Sequence, residues 1–200
     1  VELDRERSFV VVSAPGKRSK EDEKITDLLY RCHEEAAGGK SYAETFSKVR
    51  ERFREIAAGL GAEGSIDAEL DEVERRIGEE RGPDYAASRG EYLSARLISR
   101  FLEAEFIDAE EVVRLTEDGR VDGSSYALLS ERAGSEGRYV MPGFYGQGPD
   151  GKVKTFSRGG SDISGAIAAR AVKADVYENW TDVSGILMAD PRVVKDPPQV

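Results

Sequence analysis

Apolar positions along this chain follow two periods in alternation. Val10-Val11-Val12, preceded by Ser8-Phe9, is a continuous β-branched run, the pattern of a strand buried on both faces in a parallel sheet. It gives way to the loop residues Ser13-Ala14-Pro15-Gly16. Thr26-Asp27-Leu28-Leu29-Tyr30 then opens a helix that ends near Gly38-Gly39. From Tyr42 to Ala58 the period is helical, with Phe46, Val49, Phe53 and Ile56 on one face. Gly59 to Gly64 breaks that helix, and Ser65 is the expected N-cap of the next. The charged stretch from Glu72 to Glu80 reads as a solvated helix surface. Ser88-Arg89-Gly90-Glu91 reads as a polar segment leading into a helix marked by Leu93, Leu97, Ile98, Phe101 and Leu102. Phe106-Ile107 and Tyr139-Val140-Met141 are short strands, with no element assigned between them. Pro149-Asp150-Gly151 is a turn joining two further strands. The second of these, Lys154-Thr155-Phe156, runs through a double-glycine turn into a small-residue helix over Ser161–Ala171. Val172 to Tyr177 is expected to form another strand. Strands alternating with helices, without internal repeats, predict an α/β architecture with a mainly parallel sheet.

Composition narrows the function classes more than the fold. Two hundred residues suffice for one domain with a real core, and 34% charged with 39% hydrophobic residues is ordinary for a globular protein. A formal net charge of −10 argues against a nucleic-acid binder, which needs a basic stripe. Any anionic ligand must therefore be drawn in by local positive features. Cys32 is the sole cysteine, which excludes an intrachain disulfide and any cysteine-pair zinc site. No apolar run approaches the roughly 20 residues needed to cross a bilayer, and no signal peptide is apparent, so a cytoplasmic protein is expected. In that setting the glycosylation pattern Asn179-Trp180-Thr181 reads as chance.

The chemistry concentrates in Ser157-Arg158-Gly159-Gly160-Ser161-Asp162. A double-glycine turn entering a helix aims backbone N–H groups and the positive end of a helix dipole at an anion. Arg158 adds a planar cationic fork before the turn, and Asp162 a carboxylate in the first helical turn. Together they suit a phosphorylated or carboxylated ligand; for Asp162 alone, a plain helix N-cap is the structural alternative. A second phosphate-like pattern, Gly146, Gly151 and Lys152, is set aside. Val153 stands where a P-loop needs Ser or Thr for Mg²⁺, and the residues that follow alternate like a strand rather than opening a helix. Polar segments at Ser13-Ala14 with Thr26-Asp27, at Ser88 to Glu91, at Ser157 to Asp162, and at Trp180-Thr181-Asp182 with Asp190-Pro191-Arg192 are expected to converge where ligands bind in open α/β sheets, outside the carboxyl ends of the strands.

Six of these words, in this order, resemble the aspartate kinases of the amino-acid kinase superfamily: Val11-Val12-Ser13-Ala14, Ile25 to Leu29, Ser88 to Ser94, Pro142-Gly143-Phe144-Tyr145-Gly146, Ser157 to Asp162, and Trp180 to Gly185 through Asp190-Pro191-Arg192. The resemblance implies a three-layer αβα sandwich and the reaction of ATP with L-aspartate to give ADP and 4-phospho-L-aspartate. It implies that Arg158 clamps a carboxylate of aspartate, that Glu91 receives its ammonium group, and that Ser13 and Thr26 supply hydroxyls near substrate and phosphoryl group. Asp162 would orient phosphate-gripping lysines, and Arg158 and Asp162 are the expected catalytic residues. Gly159, Gly160 and Ser161, with Thr181, Asp182, Asp190 and Arg192, would line the nucleotide. Mg²⁺ would be held mainly through the nucleotide phosphates, with no metal site of the protein's own, and no nucleic acid or membrane would be a partner.

The family's opening strand with Lys-x-Gly-Gly, its later lysine-bearing helix and its regulatory modules have no counterpart here. The chain is thus expected to be a catalytic-domain portion, incomplete at both ends, of a homo-oligomeric parent. Competing readings are another kinase of the superfamily, acting on acetylglutamate, glutamate, carbamate or a nucleotide, and a non-catalytic binding core. Aspartate is its own nucleophile in such a reaction, so the adjacent Cys32 and His33 are expected to be incidental.

Overall fold

The computed structural model describes residues 7–79, 81–134, 137–156, 159–180 and 194. Within them the order is β1 (Phe9–Val12), α1 (Ile25–Ala37), α2 (Ala43–Gly59), α3 (Asp67–Ile77), α4 (Pro83–Phe101), β2 (Glu105–Phe106), α5 (Ala109–Val112), α6 (Ser124–Ala133), β3 (Tyr139–Pro142), β4 (Tyr145–Gln147), β5 (Val153–Thr155) and α7 (Gly160–Ala171). β1, β3 and β2 form a parallel sheet in that spatial order, with Val10 and Phe106 both in register with Val140. β4 and β5 make an antiparallel hairpin. Its turn is closed by the Gly148 and Gly151 amides donating to the Lys152 and Gly148 carbonyls, so the P-loop-like glycines belong to a hairpin, as expected.

Period-2 alternation divides the sheet's side chains between two helical layers. Val10, Val12, Phe106 and Val140 face Ala95, Ile98 and Leu102 at the end of α4. Phe9, Val11, Tyr139 and Met141 face the other way, into a core with Leu129 and Ala133 of α6 and Ile167, Ala168 and Ala171 of α7. The result is the expected three-layer αβα arrangement. A further core lies outside α4, where Phe46, Val49 and Phe53 of α2 and Leu70, Val73 and Ile77 of α3 pack with Leu29, Leu93 and Leu97. α4 is therefore buried against helices on one side and the sheet on the other. Ala86, Ala87, Ser88, Gly90, Ser94 and Ala95 keep it slim enough to fit.

Four expectations need correction. Ser88 to Glu91 is not a segment before a helix but lies within α4, which Pro83 opens near its N-terminus. Ser65 does not cap α3: Ile66 is the N-cap, no side chain bonds there, and Ser65 Oγ is buried without a partner. The tight turn from Ala62, closed by the Ser65 amide on the Ala62 carbonyl, leaves Ser65 one residue short of the capping position. β1 is half-buried rather than buried, because among the described residues it pairs only with β3. Finally, Val172 to Tyr177 forms no strand. Val172 caps α7, Lys173 turns into the left-handed region at φ 54°, and the Ala174 amide closes on the Ala169 carbonyl. The interval without assigned elements, between Ile107 and Tyr139, contains the short helices α5 and α6.

Candidate active site

Three close backbone approaches assemble one site at the carboxyl ends of β1 and β3. The Gly143 amide donates to the Val12 carbonyl at 2.9 Å, tying the two strand ends together. A Cβ on Gly143 would meet Ser161 Cα at 2.8 Å, and one on Gly160 would meet Phe144 Cα at 2.8 Å. Only glycine lets the end of β3 and the start of α7 come this near. Phe144, between them, holds φ at 77°, a conformation that costs a side-chain-bearing residue on the order of 1–2 kcal/mol. Hydrogen bonds hold it there. The Phe144 amide donates to Ser164 Oγ at 3.2 Å, Ser164 Oγ donates to the Gly160 carbonyl at 2.8 Å, and the Phe156 amide donates to the Phe144 carbonyl at 2.8 Å. Gly159, at φ 59°, turns the chain into α7.

On the other side of the strand ends, Gly90 packs against Ala14, and the two flanking residues of α4 point to either side of that contact. Glu91 is 6% exposed, and its Oε2 has no hydrogen-bond partner. Burial pushes its carboxyl up to about 7, against a smaller opposing pull from the Glu91 and Ala14 backbone amides and the Arg89 charge. Exposed Ser13 and half-buried Thr26, in the first turn of α1, lie on the segments flanking Ala14 and Ile25, which both touch Gly90. A buried carboxylate with no ion-pair partner among the described residues suits an incoming cationic group.

Arg89 is itself buried, with its guanidinium 4.5 Å from the ring centre of Tyr85, 4.6 Å from Tyr92 and 5.1 Å from Tyr145. Its Nε and Nη2 donate to Ser88 Oγ at 3.1 and 3.0 Å, and Tyr145 Oη donates to Asp108 Oδ1 at 2.7 Å. Cation–π contact in a dry setting compensates a charge that has no carboxylate in ion-pairing reach among the described residues. Residues 85, 89 and 92 recur at helical spacing, a signal visible in the sequence. The contributions of Asp108 and Tyr145 come from distant segments and are not. Asp84 and Thr155 were missed for the same reason: Thr155 Oγ1 donates to Asp84 Oδ1 at 2.8 Å across 71 positions.

Asp162 occupies the third position of α7 and makes no capping bond, so the N-cap alternative is set aside. Its Oδ1 accepts from Asn179 Nδ2 at 3.3 Å, and Tyr177 Oη donates to its carbonyl at 3.3 Å. The structure thus brings Gly159, Gly160, Ser161 and Asp162 to the same strand ends as Ser13, Thr26 and Glu91. Arg158, with Ser157, and Thr181, Asp182, Asp190 and Arg192 lie outside the described residues. Surface clefts of about 70 Å³ beside Arg18 and Lys48, and of about 380 Å³ beside Asp84 and Lys154, involve neither Glu91 nor α7. We place the candidate site at the strand ends, because unpartnered charge and forced glycines lie there. No group of three or more His, Cys, Asp or Glu suited to a metal occurs among the described residues, and none of their helices is long and apolar enough to cross a membrane.

Known proteins share both sequence and architecture with this chain. Aspartokinase 3 of Bacillus subtilis is 35% identical over 215 residues, spanning 100% of this chain and 47% of the relative. The crystal structure of an aspartate kinase from Clostridium acetobutylicum superposes with a TM-score of 0.88 at 46% identity, over 97% of this chain and 45% of that one. Escherichia coli aspartokinase III, in complex with aspartate and ADP, gives a TM-score of 0.66 at 26% identity over 96% of this chain and 46% of that one. The chain spans just under half the length of each of these relatives. The model of the amino acid kinase family matches residues 2–200, and the chain belongs to that family.

Proposed function

We propose that this chain is the catalytic-domain portion of an aspartate kinase, moving the γ-phosphoryl group of ATP onto the side-chain carboxylate of L-aspartate. The observation that carries the reading is Glu91, buried at the strand ends with an oxygen that has no partner. An α-ammonium group answers that need by supplying both a charge and a hydrogen bond. An acylated amine or a nucleotide as acceptor would leave Glu91 uncompensated, which argues for a free amino acid. The names of the relatives above support aspartate as the acceptor.

In this reading Arg158 grips the substrate's carboxylate, Glu91 its ammonium, and Ser13 and Thr26 hydrogen-bond beside the transferring group. A side-chain carboxylate oxygen attacks the γ-phosphorus in line, the bond from that phosphorus to the β,γ-bridging oxygen breaks, and ADP departs with the bond's electrons. Mg²⁺ arrives on the ATP phosphates as part of the substrate and neutralises charge there. The α7 N-terminus, with Gly159, Gly160 and Ser161, presents backbone N–H groups to the phosphates, while Asp162 orients cationic groups around them. Thr181, Asp182, Asp190 and Arg192 belong to the nucleotide side of the site. The protein acts in the cytoplasm as a homo-oligomer.

Release of ADP by the purified protein, with and without L-aspartate, tests this. Aspartate-dependent release is expected, and release indifferent to aspartate overturns it. Arg158→Ala is expected to raise the aspartate KM by roughly 30-fold or more, the cost of removing one partner from a bidentate charged pair. An unchanged KM would remove Arg158 from the carboxylate clamp.

A further inference from the structure

We propose that Tyr30 is a further binding residue for the acceptor amino acid, its phenol oxygen accepting an N–H of the ammonium group beside Glu91. The inference rests on the aspartate kinase reading and deepens it. Ile25 and Leu29 of α1 lie against Gly90, where a Cβ would meet Ile25 Cγ2 at 3.3 Å and Leu29 Cδ1 at 3.6 Å. The next positions round the two helices are Thr26 and Tyr30 on α1, one turn apart on a single face, and Glu91 on α4. These residues meet on one side of the helix seam. The half-buried phenol of Tyr30 has Asp84, Thr155 and Glu91 as its polar neighbours. Asp84 stands seven residues before Glu91 in α4, which brings it to within about 20° of the same direction and about 10 Å along the axis.

Hydrogen-bond direction decides what Tyr30 offers a ligand. Thr155 Oγ1 donates its one proton to Asp84 Oδ1 at 2.8 Å. Towards Tyr30, with which it also hydrogen-bonds, Thr155 can then only accept, so the phenol is the donor. Burial above all, then the Asp84 charge and more weakly the Glu91 charge, push the phenol up against the opposing pull of the Thr155 bond, and its proton stays in place at neutral pH. What Tyr30 has left for a ligand is an oxygen lone pair. Beside it, Glu91 Oε2 is buried without a partner. The two groups together present acceptors and no free donor. A cation carrying several N–H groups answers both, and an unsubstituted ammonium is such a group. An amide nitrogen, with one N–H and no charge, would satisfy one of them at most.

Tyr30→Phe removes that oxygen, keeps the ring and leaves the Thr155–Asp84 bond intact. In the protein as the cell makes it, the variant is expected to raise the aspartate KM roughly tenfold or more, the worth of one hydrogen bond to a charged group, while the ATP KM stays within twofold. Succinate, which is aspartate without its ammonium, separates a contact with that group from a mere wall of the site. As a competitive inhibitor against aspartate, succinate should keep its inhibition constant within about twofold in the variant, because it has no N–H to lose. The proposal is overturned if Tyr30→Phe leaves the aspartate KM within twofold, or if the aspartate KM and the succinate constant rise by the same factor, as a change of shape would cause. Loss of the functional reading looks different: the unsubstituted protein would then show no aspartate dependence before any variant is compared.

Discussion

Gly90 of α4 lies so close to Ala14 that a Cβ placed on it would stand 2.9 Å from the Ala14 Cβ, with Ile25 Cγ2 at 3.3 Å and Leu29 Cδ1 at 3.6 Å behind. Gly90 is thus the point at which α4, α1 and the loop after β1 touch. Gly90→Ala should gain about 1 kcal/mol of helix propensity. Against that stands overpacking, at about 1–3 kcal/mol, and the Ala14 methyl has no flexible end to swing away. Overpacking is expected to win. The variant should lose about 1 kcal/mol in urea unfolding, and the aspartate KM should rise because Ser13 and Glu91 flank the displaced contact. A variant as stable as the parent would mean that the loop after β1 yields freely.

Glu91 links stability to pH with a sign opposite to that of a salt-bridged acid. Its folded pKa, about 7, lies above the ordinary 4.5, so the folded state keeps a proton that the unfolded chain releases between those values. This group's contribution is therefore most favourable below about pH 4.5. It declines as pH rises, and above about pH 7 the full cost of burying the charge, about 3 kcal/mol, is present. Glu91→Gln removes that cost. The variant should be more stable than the parent at pH 8, with the difference shrinking towards pH 5, and it should bind aspartate poorly at both. In the parent, a substrate ammonium needs ionised Glu91, so the aspartate KM should climb as pH falls below about 7. Thermal unfolding at several pH values and an aspartate KM profile check both halves. A Glu91→Gln variant less stable than the parent at pH 8 would contradict the buried, unpaired carboxylate.

Much of this arrangement was legible in the sequence, because local chemistry enforces it. The Phe46, Val49, Phe53 spacing, the Pro149-Asp150-Gly151 turn and the glycines before α7 each have one low-energy solution that short-range pattern reveals. Burial decided the rest. Ser88 to Glu91 looks like a polar segment because polar residues rarely fill a helix interior. Here they do, since α4 is enclosed on both sides: Arg89 finds ring faces and a hydroxyl, while an oxygen of Glu91 stays without a partner. The cage around Arg89 needs Tyr145 from β4, and the Thr155–Asp84 bond needs a hairpin docked on a helix; neither partner is predictable from spacing. Val172 to Tyr177 has strand-forming residues, but strand formation needs a neighbour to pair with. The left-handed turn at Lys173 redirects the chain before any ladder forms.

Cys32 should be chemically silent while the protein is folded. Its side chain is fully buried in the core between α1 and α2, and burial, helped by Glu35 and Glu74, pushes the thiol up to about 12. At pH 8 such a thiol is ionised in about one molecule in ten thousand, whereas an exposed cysteine is roughly one quarter thiolate. Thiolate is the reactive form, so Ellman's reagent should modify the native protein thousands of times more slowly than the protein in denaturant. The observed rate should then follow unfolding and rise with temperature as steeply as unfolding does. Protection by ATP or aspartate would come through that route alone, because Cys32 does not line the strand-end site. Fast modification in native buffer, insensitive to denaturant, would show that α1 opens away from α2 and would undo the packing argued for Leu29 and Phe46. Slow modification, by contrast, is what a fully buried thiol held in its protonated form requires.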